Sequence, residues 1–394
     1  MTTAFQHRLQ QSLDAKDADG TRKAMRPIHG PIGPDISLAD GAKRLFASND
    51  YLSLCNDPRI RSASIEAINR FGAGTGAARF ISGTMTLHQD LERALARFFG
   101  KPAALTFVSG WAANTAVMPA LAQDGDVIFA EQLNHASLID GCRLAGKAAK
   151  LVVYEHCNMN ALQSLLETTP CEGTRYIVTD GVFSMEGNVA PLSEICDLAQ
   201  RYGAITVVDD AHGVGVVGRT GRGAGEWAAC LDRIDILTGS LGKALGGAPG
   251  GFIAGQQLVI DVMFEEARPQ LFSNSQCPAA IAATLKAIEL LEAAPELVSA
   301  LHDNVALFKA TCAQHGIDML DTQSAIVAIP IGSAKRAKKI AEALYDDGIF
   351  VTAFSYPVVP KNKARLRFQI SRMHSENDIT YTAERLNFWM REID

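Results

Sequence analysis

Six short apolar runs, Ala103–Val108, Val127–Ala130, Leu151–Val153, Tyr176–Thr179, Ile205–Val208 and Ile234–Leu237, alternate with segments of helical period between Leu45 and about Ile253. Runs apolar on both faces must be covered on both, and the spacers between them are too long for hairpins. The pattern therefore predicts a largely parallel sheet sandwiched by helices. With 394 residues, 47% of them apolar, the chain has material for a large core, and a peptide hormone or disulfide-stapled miniprotein is excluded.

The pattern changes near Pro278. Long Ala/Leu/Glu-rich stretches, Ala280–Leu291 and Glu296–Cys312, read as helices, followed by strand candidates Ala325–Ile331, Phe350–Thr352 and Arg365–Ile370 and a closing helix Glu376–Glu392. Upstream, Phe5, Leu9 and Leu13 recur every fourth residue, which predicts a short amphipathic helix before an extended Gly/Pro-rich arm, Arg26–Pro34. The expected organisation is a helix and arm over 1–45, a large domain over 46–290 and a smaller α/β domain over 291–394.

Charge and cysteine usage narrow the class. Lys and Arg total 37 against 43 Asp and Glu, net -6, with no basic block, so nothing asks for a nucleic-acid partner. Eight scattered cysteines form no CxxC pair and no Cys/His cluster at zinc spacing, so no metal site is expected and reduced thiols in the cytoplasm fit best. The first residues mix Asp14, Asp17 and Asp19 with Lys16, Arg22 and Lys23 and lack an apolar core, unlike a secretory signal. The most membrane-like window, 103–122, is broken by Ser109, Gly110, Asn114 and Pro119 into strand, turn and helix, so no integral membrane segment is expected.

Two strand-end signals carry the chemistry. Val207-Val208-Asp209-Asp210-Ala211-His212 closes an apolar run, where ligand sites of open α/β sheets lie; alone, Asp209 reads equally well as a cap for the next segment. The following Gly213-Val214-Gly215-Val216-Val217-Gly218 spells GxGxxG, but four residues separate it from the strand and more glycines follow, so dinucleotide binding is a minor alternative. Thr238-Gly239-Ser240-Leu241-Gly242-Lys243 ends another apolar run and lacks the Ser or Thr after the lysine that a phosphate-cradling Walker loop needs. A lysine among small residues suits an amine held partly desolvated for Schiff-base formation, although a surface lysine in a loop is the plain reading of that stretch alone. Together, a strand-end carboxylate about thirty residues before a strand-end lysine is what pyridoxal 5'-phosphate (PLP) chemistry requires: the amine for the aldehyde, the carboxylate for the pyridine nitrogen. Ser109-Gly110-Trp111, at a strand-to-helix turn, offers backbone N–H groups to a phosphate.

From Phe46 onward the chain resembles the α-oxoamine synthase family of fold-type I, PLP-dependent transferases. The resemblance is carried by Ser48-Asn49-Asp50-Tyr51-Leu52, Gly74-Thr75-Gly76-Ala77-Ala78-Arg79, Asn134-His135-Ala136-Ser137, Asp180-Gly181-Val182-Phe183-Ser184-Met185-Glu186-Gly187, Asp209-Asp210-Ala211-His212 and Leu241-Gly242-Lys243. It implies an α/β fold with a large, mostly parallel seven-stranded sheet domain, helices on both its faces, and a smaller C-terminal α/β domain. It also implies that Lys243 bonds PLP and moves the α-proton, that Asp209 pairs with the pyridine nitrogen, and that His212 and Ser184 lie near the phenolic oxygen. His135 would stack on the ring, Gly110, Trp111 and Ser240 would bind the phosphate, and Ser273 would reach in from a second subunit of a homodimer with shared sites. Arg367, assisted by Asn49, would hold the substrate carboxylate, and Arg365 would be a strand residue in a salt bridge.

Such enzymes join an amino acid to an acyl-CoA thioester. Arg79–Thr84, Arg268–Ser275 and Phe354–Lys361 lean toward the glycine C-acetyltransferase branch, which interconverts glycine plus acetyl-CoA with 2-amino-3-ketobutyrate plus CoA. Ser109–Asn114 and the arm before residue 45 look more like the 8-amino-7-oxononanoate synthase branch, which condenses alanine with a longer thioester and releases carbon dioxide; serine palmitoyltransferase does the same with serine. Ala78 is smaller than its counterpart in relatives and leaves room for alanine or serine.

Overall fold

The computed structural model describes residues Met1–Asp394, the side chain of Lys147 excepted. Seven strands form the principal sheet: β1 (Ala103–Phe107), β2 (Asp126–Glu131), β3 (Ala149–Tyr154), β4 (Arg175–Asp180), β5 (Ala204–Asp209), β6 (Ile236–Ser240) and β7 (Gly251–Gly255). Their order is β1-β7-β6-β5-β4-β2-β3. β2 to β6 pair in parallel, while β7 runs antiparallel to both neighbours.

β1, β2 and β7 have no exposed residue, and β4, β5 and β6 are nearly as buried, as apolar runs covered by helices should be. Ala113, Ala116 and Val117 of the helix Gly110–Leu121 share one core with Ile128, Val178, Val207 and Ile236. Small side chains on that helix let it lie close to the strands. The parallel strands β4, β5 and β6 end side by side at Asp180, Asp209 and Ser240, with Asp180 in register with Asp209 and Asp209 with Thr238.

The chain divides into two compact units, one of Asn49–Ser184 with Asn188–Ala300, the other of Met1–Ser48, Met185–Gly187 and Leu301–Asp394. The first contains the sheet above. Its last long helix, Pro278–Ala293, packs on the helix Pro58–Phe71, so the compositional change at Pro278 is not where the units divide.

In the second unit Ala364–Gln369 is the centre of an antiparallel sheet between Ile326–Gly332 and Thr352–Phe354. The expected strand over Phe350–Thr352 is two, Ile349–Phe350 and Thr352–Phe354, in different sheets. The N-terminal segment, expected as helix and arm alone, also forms a hairpin, Asp35–Leu38 with Gly41–Leu45, to which Ile349–Phe350 adds in parallel. Burial of Ile36, Leu38 and Leu45 against Tyr345 accounts for its joining this unit. The first helix, Thr3–Ala18, forms with none of its residues buried.

Phe46, Phe308 and Phe368 lie at the heart of this unit's core, where the His374 ring stacks on Phe46 at 4.0 Å. His374 Nδ1 accepts from the Ser371 N–H and Nε2 donates to the Leu45 carbonyl, so the ring is neutral; burial lowers its pKa to about 4. Among the described residues no helix is long and apolar enough to cross a membrane.

Candidate active site

At the carboxyl ends of β4, β5 and β6 a cavity of about 220 Å³ opens, its lining including Gly110, Trp111, His135, Asp209, His212, Ser240 and Lys243. Each wall has a local origin. Ser109 caps the helix Gly110–Leu121, its hydroxyl accepting from the Ala112 N–H at 3.0 Å, which leaves other first-turn N–H groups for an anion. Gly110 lets the helix start lie close against the end of β6: a Cβ there would stand 3.0 Å from the Ser240 Cβ, tighter than an ordinary contact.

His135 is the N-cap of the helix Ala136–Leu144, Nδ1 accepting from the Ser137 N–H, and its ring meets Trp111 edge-on with centroids 6.0 Å apart. The helix-start role and the cavity position coexist. Burial, reinforced by the Lys243 charge and opposed by that of Asp209, lowers the His135 pKa. His212 is held by Tyr51, whose hydroxyl lies 2.9 Å from Nδ1.

Asp209 is buried with donors on both oxygens, Asn114 Nδ2 at 2.6 Å and the Ala211 N–H at 2.9 Å. Asp180 accepts from the His135 N–H at 3.0 Å, and burial, then the charge of Asp209, pushes its carboxyl well above the ordinary range. The cavity thus combines a half-buried amine, a carboxylate already supplied with donors, a flanking imidazole and a helix N-terminus beside a hydroxyl. That donor set fits PLP: Gly110, Trp111 and Ser240 would take its phosphate and Lys243 its aldehyde.

Residues 43–386 match the family described as Aminotransferase class I and II. The chain belongs to that family. It is 41% identical over 373 residues to an 8-amino-7-oxononanoate synthase from Thermoanaerobacter pseudethanolicus, covering 94% of this chain and 93% of the relative. It is 40% identical over 387 residues to a 2-amino-3-ketobutyrate coenzyme A ligase from Escherichia coli K12, covering 98% and 97%. A solved structure of serine palmitoyltransferase with its PLP internal aldimine superposes with a TM-score of 0.93 at 27% identity, over 100% of this chain and 99% of that one. This member of the class I and II family is a PLP-dependent enzyme of the α-oxoamine synthase kind, with the fold-type I architecture expected from its sequence.

Seven of the eleven expected site residues line the one cavity: Gly110, Trp111, His135, Asp209, His212, Ser240 and Lys243. Asn49, Ser184 and Ser273 are outside that lining. Ser273 borders a separate small cavity beside buried His88. Arg367 belongs to the other unit, on the strand Ala364–Gln369, its guanidinium 4.4 Å from the Phe354 ring. Arg365 makes the expected salt bridge, 2.7 Å to Glu186.

Sequence reasoning missed Asn114, Ser137, Asp180 and Tyr51. Tyr51, Ser137 and Asp180 lie within stretches that carry the family resemblance and Asn114 in the stretch Ser109–Asn114, yet only tertiary contacts reveal which side chains they serve.

The glycine run after β5 surrounds carboxylates of the protein itself. A Cβ at Gly213 would stand 1.9 Å from Asp210 Oδ1, and one at Gly223 1.8 Å from Oδ2. Gly218 packs against Glu226, a Cβ there standing 2.3 Å from Oε2, and Glu226 accepts from the Thr220 N–H and hydroxyl and the Arg222 N–H.

Proposed function

We propose that the enzyme joins glycine to the acetyl group of acetyl-CoA, giving 2-amino-3-ketobutyrate and CoA, or runs that reaction in reverse. The meeting of Lys243, Asp209 and His135 in one strand-end cavity carries the catalytic part of this reading. The likeness of Arg268–Ser275 and Phe354–Lys361 to glycine C-acetyltransferases supports the substrate pair. When bound, PLP supplies an electrophilic aldehyde and a ring that accepts electrons from the α-carbon.

The chain's residues have separable tasks. Lys243 Nζ holds the cofactor, then takes the proton from the α-carbon as general base. Asp209 keeps a proton on the ring nitrogen, His135 packs on the ring, and Ser184 and His212 bond the phenolic oxygen. Gly110, Trp111 and Ser240 hold the phosphate, joined by Ser273 from the second subunit of a homodimer. Arg367 and Asn49 fix the substrate carboxylate. Over the whole reaction a carbon–carbon bond forms between the α-carbon and the thioester carbonyl, the carbon–sulfur bond breaks, and the α-proton leaves on the CoA thiol.

A second reading, condensation of alanine or serine with a longer thioester and loss of carbon dioxide, is favoured by the small, buried Ala78. Assay of glycine, alanine and serine against short and long acyl-CoA thioesters, following free thiol and carbon dioxide, separates the two. Thiol release with glycine and acetyl-CoA without carbon dioxide is the expected result; carbon dioxide release with alanine and a long thioester overturns it. Lys243→Ala is expected to lose turnover by several orders of magnitude, and borohydride reduction followed by peptide mapping to label Lys243 in the unmutated protein.

A further inference from the structure

Asn114 uses both of its amide hydrogens and its carbonyl inside the protein. Nδ2 donates to Asp209 Oδ2 at 2.6 Å and to Ser137 Oγ at 2.9 Å, while Oδ1 accepts from the Thr238 hydroxyl at 2.5 Å. All four side chains are buried, Thr238 and Ser137 completely. The amide can face only one way, because a carboxylate has no hydrogen to give and must meet the NH2.

That orientation has a consequence one residue further. Ser137 Oγ accepts from Asn114, so its own hydrogen is available for His135 Nδ1, 2.7 Å away, where the Ser137 N–H also points. Nδ1 receives two donors and carries no proton; the ring is neutral with its hydrogen on Nε2. The lowered pKa of the buried His135 agrees.

We propose that Asn114 is a positioning residue that orients Asp209 and, through Ser137, fixes His135 as the neutral Nε2–H tautomer. The direction of the chain is set by Asp209, which can only accept, and the Thr238 hydroxyl then donates to the Asn114 carbonyl. One amide therefore coordinates the group assigned to the ring nitrogen with the group assigned to the ring face. The inference rests on the site reading above, since it supposes that PLP lies between Asp209 and His135.

Three variants of the holoenzyme test it, read by the PLP dissociation constant across pH and by 15N shifts of the histidine rings, His135 being assigned with His135→Gln. Asn114→Ala is expected to weaken PLP binding about tenfold or more, the loss of a hydrogen bond to a charged group. Ser137→Ala leaves the bond to Asp209 in place; PLP affinity stays within about twofold while the His135 nitrogens move toward mixed tautomers.

Asn114→Asp keeps the shape and replaces the donor by an acceptor facing Asp209. PLP affinity should then become pH-dependent, falling at pH 8 and recovering several-fold toward pH 5.5 as the introduced carboxyl gains a hydrogen to donate. The other titratable groups that share the cavity with this position, Asp180, His135, His212 and Lys243, are common to all variants. A space-filling asparagine predicts that Asn114→Asp binds PLP as the unmutated protein does at every pH; that result, or unchanged His135 shifts in Ser137→Ala, overturns the inference. Borohydride mapping of the unmutated protein separates the two failures: no label on Lys243 sinks the site reading itself, whereas a label on Lys243 with unaltered titrations sinks only the role of Asn114.

Discussion

The end of β5 divides two regions that treat neighbouring carboxyl groups in opposite ways. Asp209 faces the cavity with a donor on each oxygen, from Asn114 and the Ala211 N–H. Asp210, the next residue, turns into the glycine loop, where Oδ2 accepts from the Ala224 N–H at 2.6 Å and Oδ1 has no hydrogen-bond partner among the described residues. Burial raises the Asp210 pKa to about 7, the Ala224 N–H opposing and the Asp209 charge reinforcing the shift. Both carboxyls are buried, so depth alone does not distinguish them; Asp209 receives two donors and Asp210 one.

The largest expected contrast is catalytic. Asp209→Asn should lower turnover roughly a hundredfold to a thousandfold, the scale of losing one fixed charge beside the reacting centre. Asp210→Asn should keep turnover within about tenfold, because an amide mimics a protonated carboxyl in shape. Equal losses in steady-state assays of the two variants would break the comparison.

A smaller effect sharpens it on the loop side. Gly223→Ala forces a Cβ to 1.8 Å from Asp210 Oδ2 at a backbone φ of +88°, and should destabilise the fold by about 3 kcal/mol in urea unfolding. Gly213→Ala tests the crowding alone, its Cβ meeting Oδ1 at 1.9 Å.

The smallest effects are pH slopes. Asp210 has a folded pKa near 7, above its ordinary 3.8, so the folded protein keeps a proton that the unfolded chain has lost between those values. Its stabilising contribution is full below about pH 4 and declines as pH rises toward 7; Asp210→Asn should remove that decline from unfolding curves. His374 has the reverse sign. Its folded pKa of about 4 lies below the ordinary 6.5, so stability falls as pH drops from 6.5 toward 4, and His374→Gln should flatten that limb.

Much of this architecture was legible in the chain. The six apolar runs became β1 to β6 with shifts of up to three residues at their ends; five are buried strands that write their burial directly into composition, while the edge strand β3 leaves Lys150, Leu151 and Val153 exposed. β7 was not among those runs: Gly251-Phe252-Ile253-Ala254-Gly255 has glycine or alanine at three of five positions, and its place between β1 and β6 follows from long-range pairing. The hairpin over 35–45 was equally hidden, since its alternating pattern gains meaning only when Ile36 and Leu38 meet Tyr345. Within the site, residues singled out by chemical type, Lys243, Asp209 and His135, meet in one cavity, whereas Asn114 and Tyr51, which hold another side chain, carried no signal in the sequence.

The order of strand-end motifs along the chain determined the fold class and the cofactor and singled out Lys243 as the candidate amine, because the local chemistry each demands is written in consecutive residues. Tertiary structure alone decided which of two adjacent aspartates faces the cavity, what the glycine run encloses, and which tautomer His135 adopts. Those outcomes depend on donors contributed by residues up to 124 positions apart, as Asn114 and Thr238 are, and only folding brings such groups within hydrogen-bonding distance.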